Sequence, residues 1–520
     1  MNFRMTAVLG ILALGLGCEK EPAAAAHAPP TVAKAPEQKL PPPPKASDIP
    51  AHPDKLKYAK IDWEVPTAEK HRTVLKNGMI VYAIEDRSLP KTDMTILLRA
   101  GQFWEPKGKE GLASMTGSVM RTGGTEKTPA EALDERLEFL AIQLGVGIGD
   151  TQANVSFGAL TKDLDEGLST LAEVLSIPAF RQDKIDLYKA QSLNAMRARN
   201  DSPNSIESRE SNLLLYGDFP VNRHATKASI DAITREDLLA YHKRFFHPSN
   251  MVVAVAGDFS KPELLAKLEE KFANWPTPAP EKVTVPKAEH TPKPGVYCFQ
   301  TLQPIPQGRV TIGHAGIDLN HPDLHKIRVM AYIFGAGSFA SRLVKVVRTD
   351  SGLAYSVGCS YNPGINYTGV FRMAFQSKSE TCLYAAQLCM KELEKMQKED
   401  VPEEELKGAI SFYLDGFPGF FFATPAQTAG TLANAEFNNY PKDYFQTYRE
   451  KVATVTAADI RKVANEHMRP DKLVYVVVGN LQAIKGGDGK HEVKIEDFGP
   501  VQDVPLPDPM TLERPTPSTN

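Results

Sequence analysis

Cysteine is scarce in this chain: five cysteines in 520 residues are too few for the framework of a small disulfide-bonded fold. An excess of one charge is also missing, since 60 Lys and Arg residues face 63 Asp and Glu residues, for a net charge of −3. This balance gives no electrostatic reason to expect a nucleic acid as partner. After the first 17 residues, no apolar run is long enough to cross a membrane. The remainder, with 42% hydrophobic residues, predicts an ordinary globular protein of several domains.

The first residues have the pattern of an export signal. Arg4 precedes an apolar run from Ala7 to Gly17, which is too short for a stable membrane span. Cys18 follows directly and resembles the acylated cysteine of bacterial lipoproteins. We therefore expect a signal peptide over residues 1–17, lipidation at Cys18, and a periplasmic protein anchored to the outer membrane of a Gram-negative bacterium. An ordinary cleaved signal without a lipid is the alternative.

Proline-rich stretches flank the middle of the chain. Residues 18–64 are rich in Ala, Pro and Lys and have no apolar periodicity, which is typical of an extended tether. Residues 486–520 are similar and are expected to form a polar, proline-rich tail. The folded part is therefore expected between these two stretches.

A repeat is visible within the middle of the chain. Residues 233–258 and 455–480 align at a constant offset of 222 positions, which pairs Thr234 with Thr456. Each copy has a Thr-x-x-Asp helix start, a helix, a proline-containing turn and an apolar strand that ends at glycine. Because the matches share one structural context, the repeat predicts two homologous lobes.

The two lobes are expected at 65–285 and 294–485, with a short linker at 286–293. Strand-like and helix-like segments are mixed, neither strictly alternating nor all strand, which predicts the α+β class. The strand candidates are 79–85, 93–100, 153–160, 309–316, 354–361 and 369–376, and the clearest helix candidates are 129–143 and 165–176.

Several segments carry a family resemblance. They are LKNGMIVYAIED (75–86), RAGQFWEPKGKEGLASMTGSVMRTGGT (99–125), RNDSPNSIESRE (199–210), NMVVAVAGD (250–258) and FGAGSFASRLVKVVRTDSGLAYSVG (334–358). Together they resemble the pitrilysin/insulinase-like family of zinc metallopeptidases, and most closely its bacterial short-chain branch. The resemblance covers about 65–485. It implies two lobes, each a mostly antiparallel sheet packed with helices, in subunits that pair to enclose a chamber.

The zinc motif of that family is missing from this chain. Active members continue Gly-Leu-Ala with His-x-x-Glu-His, in which two histidines one helical turn apart hold zinc and the glutamate activates water. Here Ser114 and Ser118 stand at the histidine positions and Gly117 at the glutamate position, and Ala195 stands where a later helix supplies the third ligand. Because these residue types are poor zinc ligands or none, we expect no cofactor in this chain.

A second pair of family residues is retained. Arg348 and Tyr355 stand seven positions apart, at the spacing of an Arg/Tyr pair that reaches a zinc site from the second lobe or a partner subunit. By resemblance, the Arg binds the substrate and the Tyr hydroxyl stabilises the developing oxyanion. The chain is thus expected to be inactive alone and to form a heterodimer with a homologous subunit that carries the intact motif and its zinc. Peptides are the expected substrates, and the membrane is contacted only through the lipid.

Two other functions remain open from the sequence. The first is a non-catalytic scaffold or peptide-binding module, similar to the core proteins of the mitochondrial cytochrome bc complex. The second is an independent hydrolase rebuilt around His314, His321 and His325 or around Ser114 as nucleophile. The prolyl residue Pro322 next to His321 favours a helix start, and hence a structural role for this segment.

The remaining cysteines, aromatic residues and histidines give weaker signals. Cys382 and Cys389 share a helical face about 10 Å apart, which is too far for them to bridge each other, and the pairing of Cys298 and Cys359 stays open. The aromatic run 412–422 predicts a buried core. A last set of histidines is expected at the surface: His242, His247 and His467.

Overall fold

The computed structural model describes residues 63–278, 284–286 and 289–515, together with His52, Lys55 and Leu56. Residues 64–520 form one compact unit, separate from residues 1–63. The expected signal peptide, the lipidation site Cys18 and most of the tether therefore lie outside the described residues. Within the described ranges, no helix combines the length and the apolar character that a membrane span requires.

The first lobe is built around a six-stranded sheet. Its strands are β1 (Arg72–Val74), β2 (Ile80–Glu85), β3 (Lys91–Leu98), β4 (Gln143–Ile148), β5 (Ala153–Leu160) and β6 (Met251–Gly257). They lie in the order β1-β2-β6-β3-β5-β4. Strands β2 and β6 run parallel, and the other neighbours are antiparallel.

The second lobe repeats this plan. Its strands are β7 (Gly295–Gln300), β8 (Gln307–Ala315), β9 (Ala354–Asn362), β10 (Val370–Lys378), β11 (Val474–Gly479) and β12 (Val501–Asp503). They lie in the order β12-β7-β11-β8-β10-β9, with β7 parallel to β11 and β12 and the other pairs antiparallel. The predicted α+β class, with two homologous and mostly antiparallel lobes, is confirmed.

Helices cover both sheets. In the first lobe they are α1 (Ala68–His71), α2 (Leu112–Thr122), α3 (Ala130–Phe139), α4 (Leu164–Ser176), α5 (Gln182–Arg197), α6 (Pro203–Tyr216), α7 (Lys227–Ala232), α8 (Arg235–Phe245) and α9 (Lys261–Lys271). In the second lobe they are α10 (Leu324–Ala331), α11 (Cys382–Lys398), α12 (Glu403–Phe421), α13 (Pro425–Phe437), α14 (Tyr444–Ala453), α15 (Ala457–His467) and α16 (Leu481–Gly486).

Short helical turns connect these elements. The 3₁₀ turns are Gln102–Trp104, Thr161–Asp163, Ala198–Asn200, Pro220–Asn222, Pro248–Asn250, Ser338–Ala340, Ser379–Thr381, Pro470–Lys472 and Ile495–Phe498. Two π-helical segments, Tyr332–Ala336 and Val344–Asp350, follow α10. Both π segments belong to the second lobe.

The repeat found in the sequence at 233–258 and 455–480 is also present in the structure. Helices α8 and α15 both begin with a capping box, in which Thr234 and Thr456 accept the backbone N–H of Asp237 and Asp459. The strands that follow, β6 and β11, are buried almost throughout. The same offset of 222 also places the start of α6 on the start of α13.

Helices α6 and α13 each pack on the sheet of the other lobe. Helix α6 of the first lobe packs on β8 and β11 of the second sheet, and α13 of the second lobe packs on β2, β3 and β6 of the first sheet. Glu207 of α6 accepts hydrogen bonds from Thr311 at 2.6 Å and from Arg309. Glu436 of α13 accepts from Tyr82 and from Arg72, the latter at 2.7 Å. Each sheet is therefore covered in part by the other lobe.

Two expectations about local structure were wrong. The predicted helix over 129–143 ends at Phe139, because Ala141 adopts a φ of 51° and the chain then enters β4 at Gln143. The expected extended tail is packed over residues 495–514. Strand β12 pairs with β7, Asn200 donates to the carbonyl of Pro507 at 2.8 Å, and the N–H of Lys227 donates to the carbonyl of Met510 at 2.9 Å.

Burial also corrects parts of the sequence analysis. The aromatic run is only partly core: Phe417 is buried, whereas Phe412 and Phe420 are exposed on α12. His242 and His247 are buried and not at the surface, and burial lowers the pKa of both. The pairing left open for the cysteines is resolved, since Cys298, Cys359, Cys382 and Cys389 are all free thiols.

Candidate functional site

Helix α2 carries the positions at which the zinc motif is vacant. It starts after Gly111, whose φ of 103° is the left-handed conformation that glycine adopts most readily. The carboxylate of Glu105 accepts the backbone N–H of Gly111 at 3.1 Å and of Ala113 at 2.7 Å, and so satisfies the free amides of the first turn. Burial raises the pKa of Glu105 to about 7.

The fold brings Ser114 and Ala195 to the same cavity. This cavity, which we call the α2–α5 cavity, has a volume of about 310 Å³ and is also lined by Tyr188, Ser192 and His224. The two helices are therefore placed as the resemblance implies, although neither residue is a metal ligand. Ser118 lies one turn further along α2 and is not part of the lining.

The charge of the α2–α5 cavity opposes a metal cation. Arg199 and Arg223 line it, and among the described residues no carboxylate does. Burial and the nearby Arg199 lower the pKa of His224, whose Nε2 atom has no hydrogen-bond partner. A cation here would meet two guanidinium groups, hydroxyls and a single imidazole, whereas a zinc site is built from three or four imidazole, thiolate or carboxylate ligands.

A larger residue at the Gly117 position of α2 would be crowded by β4. A Cβ atom at this position would lie 3.1 Å from Cγ1 of Ile148 and 3.3 Å from the carbonyl oxygen of Val146, both on β4. Because these contacts are tighter than ordinary van der Waals packing, a glutamate would push β4 away from the helix. The glutamate position is thus occupied by a glycine that packs closely against β4.

Arg348 and Tyr355 form a stacked pair at the surface of the second lobe. Cζ of Arg348 lies 4.5 Å from the centre of the Tyr355 ring and 4.6 Å from that of Phe339. Tyr355 is 84% exposed and Phe339 is 67% exposed. In the described part of the chain, no carboxylate pairs with the guanidinium and no group hydrogen-bonds the phenol. Cation–π contacts of this exposed kind contribute about 0.5–1 kcal/mol each.

The local backbone holds this pair in place. Arg348 lies in the π-helical segment Val344–Asp350, and such segments occur frequently at functional sites. Gly335, in the preceding π segment, allows β9 to approach closely, because a Cβ there would lie 2.7 Å from the amide nitrogen of Cys359. The strand that begins with Ala354 and Tyr355 is thereby fixed against the helix. Neither Arg348 nor Tyr355 lines the α2–α5 cavity of the same chain.

The alternative metal site built from three histidines is not formed. His314 is buried, where its Nε2 accepts the N–H of Arg469 and its Nδ1 donates to the carbonyl of Ala315. His325 points elsewhere and packs against the ring of Tyr448 at 5.0 Å. Burial lowers the pKa of both histidines to about 4. His321 instead approaches Asp323 and His467, a contact that the sequence spacing did not reveal.

Comparisons with known proteins agree with this geometry. Residues 232–413 match a family model described as Peptidase M16 inactive domain. The non-peptidase homolog YmxG of Helicobacter pylori is 25% identical over 425 residues, which are 81% of this chain and 96% of that protein. An uncharacterized zinc protease of Rickettsia bellii is 24% identical over 339 residues, covering 64% of this chain and 80% of that one.

A solved structure gives the same assignment. The crystal structure of a peptidase M16 inactive domain from Pseudomonas fluorescens matches with a TM-score of 0.70 and 25% identity, and covers 78% of this chain and 97% of that one. The fold and the vacant α2 positions define a protein of the metallopeptidase type that lacks the metal-binding side chains. Residues 232–413 thus match the inactive-domain model of the M16 family, and most of the chain is similar in sequence and fold to M16-like proteins described as inactive or as non-peptidase, which is the pitrilysin/insulinase-like family of the sequence resemblance.

Proposed function

We propose that this chain is the non-zinc-binding subunit of a heteromeric peptidase and supplies Arg348 and Tyr355 to the zinc site of a homologous partner. The observation that carries this proposal is the exposed stack of Phe339, Arg348 and Tyr355. Stacking restricts the guanidinium and the phenol without using their hydrogen-bonding groups. Both groups are therefore available to a ligand that arrives from outside the chain.

The chemistry of the two residues suits peptide hydrolysis. A guanidinium offers a fork of donors to a carbonyl or carboxylate of the substrate. A phenol donor directed at the developing oxyanion contributes about 2–4 kcal/mol by analogy with other oxyanion holes. The chain cannot activate water at α2, so the zinc and the water would come from the partner. The expected export signal and Cys18 place this activity, within the same proposal, in the cell envelope.

The test is reconstitution with a homologue that carries His-x-x-Glu-His. We expect no peptide cleavage by this chain alone and cleavage by the mixture, followed with a fluorogenic peptide. Tyr355→Phe is expected to lower kcat of the mixture at least tenfold, which corresponds to about 1.4 kcal/mol, with a smaller change in KM. The matched control is Tyr384→Phe, whose ring stacks on His491 rather than on Arg348.

Two results would contradict the proposal. One is a Tyr355→Phe mixture that cleaves as fast as the wild-type mixture while both subunits still associate. The other is cleavage by the purified chain alone, since this would require a catalytic centre that α2 does not offer. Association is checked by size-exclusion chromatography, so that loss of pairing is not read as loss of catalysis.

A peptide-binding role without catalysis is the second candidate. A cavity of about 800 Å³ is lined by residues of both lobes, among them Asp150 and Asn212 of the first and Tyr367 and Arg372 of the second. Burial raises the pKa of Asp150, and Nε of Arg372 lacks a partner although its Nη2 donates to Asn212. Purification under native conditions distinguishes the two roles: a partner with the zinc motif favours the peptidase subunit, and an unrelated assembly favours the binding module.

A further inference from the structure

Two histidines and an aspartate converge at one end of the second lobe. His321 lies in the loop before α10, Asp323 immediately precedes α10, and His467 is the last residue of α15. One ligand atom from each residue lies within 4.8 Å of the others. This is the combination of two imidazoles and one carboxylate that binds divalent metals such as Zn²⁺ in proteins.

The distances are close to those of a metal site. Nε2 of His467 lies 3.5 Å from Oδ2 of Asp323, and Nδ1 of His321 lies 4.0 Å from the same oxygen. Ligands about 2.0–2.2 Å from a tetrahedral zinc ion are separated by roughly 3.3 Å. The two distances to Asp323 therefore exceed this separation by less than about 1 Å, and the three ligand atoms all lie within 4.8 Å of one another.

The carboxylate of Asp323 is free of capping hydrogen bonds, whereas a metal would have to replace one hydrogen bond to His321. Asp323 occupies the N-cap position of α10, yet its carboxylate makes no capping hydrogen bond and faces the two imidazoles instead. Nδ1 of His321 accepts the N–H of Asp323 at 3.2 Å, so it is the unprotonated nitrogen, the form that binds metals. This hydrogen bond is the contact that a bound metal would lengthen.

The charges around the cluster favour a cation. Lys326 of α10 forms its ion pair with Asp459 at 2.7 Å and makes no ion pair with Asp323, although it lies near enough to interact with that carboxylate electrostatically. His467 ends α15, where the free carbonyl groups of the last turn favour positive charge. The hydroxyl of Tyr361 donates to the carbonyl of His467 at 3.3 Å and anchors this end of the helix to β9.

We propose that His321, Asp323 and His467 bind one Zn²⁺ ion, with the remaining coordination position open to water because all three side chains are partly exposed. The ion would link the start of α10 to the end of α15. The proposal departs from the expectation of no cofactor in this chain, which was based on the residues of α2, and the site shares no residue with α2. The inference is therefore independent of the proposed subunit function.

Zinc binding by the purified, tag-free chain tests the proposal. After treatment with a chelator, the protein is dialysed against Zn²⁺ and the metal content per chain is measured by elemental analysis. We expect one equivalent in the wild type, and at least tenfold weaker binding in His467→Ala and in Asp323→Asn. Asp323→Asn keeps the shape of the side chain, which guards against a result caused by misfolding.

A surface histidine provides the control. His491 contacts Asp488 at 2.7 Å in a simple pair, so His491→Ala should leave zinc binding unchanged. As a second measurement, Zn²⁺ should raise Tm of the wild type and of His491→Ala but not of the two ligand variants. The proposal is overturned if the wild type takes up no zinc at micromolar concentrations, or if His467→Ala and Asp323→Asn bind it as tightly as the wild type. Neither result changes the expectation for Tyr355→Phe.

Discussion

Glu105 shows how a single buried residue supports the vacant zinc helix. Its carboxylate occupies the amino-terminal end of α2, where it accepts two backbone N–H groups although burial disfavours its charge. The motif positions immediately downstream carry no zinc-ligand residue types, yet the helix remains well capped. The capping therefore serves the packing of α2 against β4 and α5 and does not depend on zinc.

The raised pKa of Glu105 makes stability depend on pH. In the unfolded chain the group titrates near its ordinary value of about 4.3, and in the folded chain at about 7. Between these two pKa values the folded state holds a proton on Glu105 that the unfolded state has lost. The resulting contribution to the free energy of unfolding is fully present below the ordinary pKa and is lost as pH rises towards and through 7. Between pH 4.5 and 8, the free energy of unfolding of the wild type should fall by up to about 3 kcal/mol more than that of Glu105→Gln.

Denaturant unfolding at a series of pH values checks this expectation. The exposed Glu138→Gln on α3 serves as the control, because its carboxyl group makes no comparable buried contact. If wild type and Glu105→Gln lose stability in parallel as pH rises, Glu105 is not the group responsible.

At the scale of elements, helices α6 and α13 join the lobes, because each packs on the sheet of the other lobe. The two helices occupy equivalent places in the repeat but hold the opposite sheets through different carboxylates, Glu207 on α6 and Glu436 on α13. Glu207 is almost fully buried, whereas Glu436 is only partly buried. The connection made by α6 is therefore more sensitive to substitution than the one made by α13.

Glu207→Ala should destabilise the chain more than Glu436→Ala. The first substitution leaves Arg309 and Thr311 without their acceptor in a buried setting, at a cost of about 3 kcal/mol. The second disrupts a partly exposed pair, at a cost of about 1 kcal/mol. The midpoints of denaturant unfolding compare the two, and equal losses would show that burial does not decide the strength of these contacts.

At the scale of the whole molecule, the chain forms its two lobes without disulfides. Export would permit disulfide bonds, but Cys298, Cys382 and Cys389 are buried apart from one another in the second lobe. Burial raises the pKa of Cys298 to about 11 and that of Cys382 and of Cys389 to about 12. Since the thiolate is the reactive form, these groups are protected while the fold is intact.

Thiol titration tests this state in a chain that starts after Cys18. We expect four reactive thiols in denaturant and slow reaction of the native protein with a thiol reagent at pH 8. A reductant should leave Tm unchanged. Fewer than four thiols in denaturant, or a reductant-dependent Tm, would show that a disulfide forms.

Much of the fold followed from local pattern. The capping boxes at Thr234 and Thr456 and the buried strands after them repeat in sequence, and the structure repeats there as well. Strand β4 was missed because its residues Gln143–Ile148 include two glycines and follow a helix whose end depends on the positive φ of Ala141. The packed tail was missed because its contacts are backbone carbonyls bound by distant side chains, which leave no mark in a proline-rich sequence.

The sequence by itself determined the family resemblance, the duplication and the absence of the zinc-ligand residue types at the motif positions, because each of these depends on residue types at fixed spacing. Only the tertiary structure decided which lobe α6 and α13 cover, that Arg348 stacks between Phe339 and Tyr355, and that His467 meets His321 and Asp323. These features join residues that are remote in the chain or depend on the path of an irregular backbone. Spacing in sequence carries no information about such contacts until the core has fixed how the elements pack.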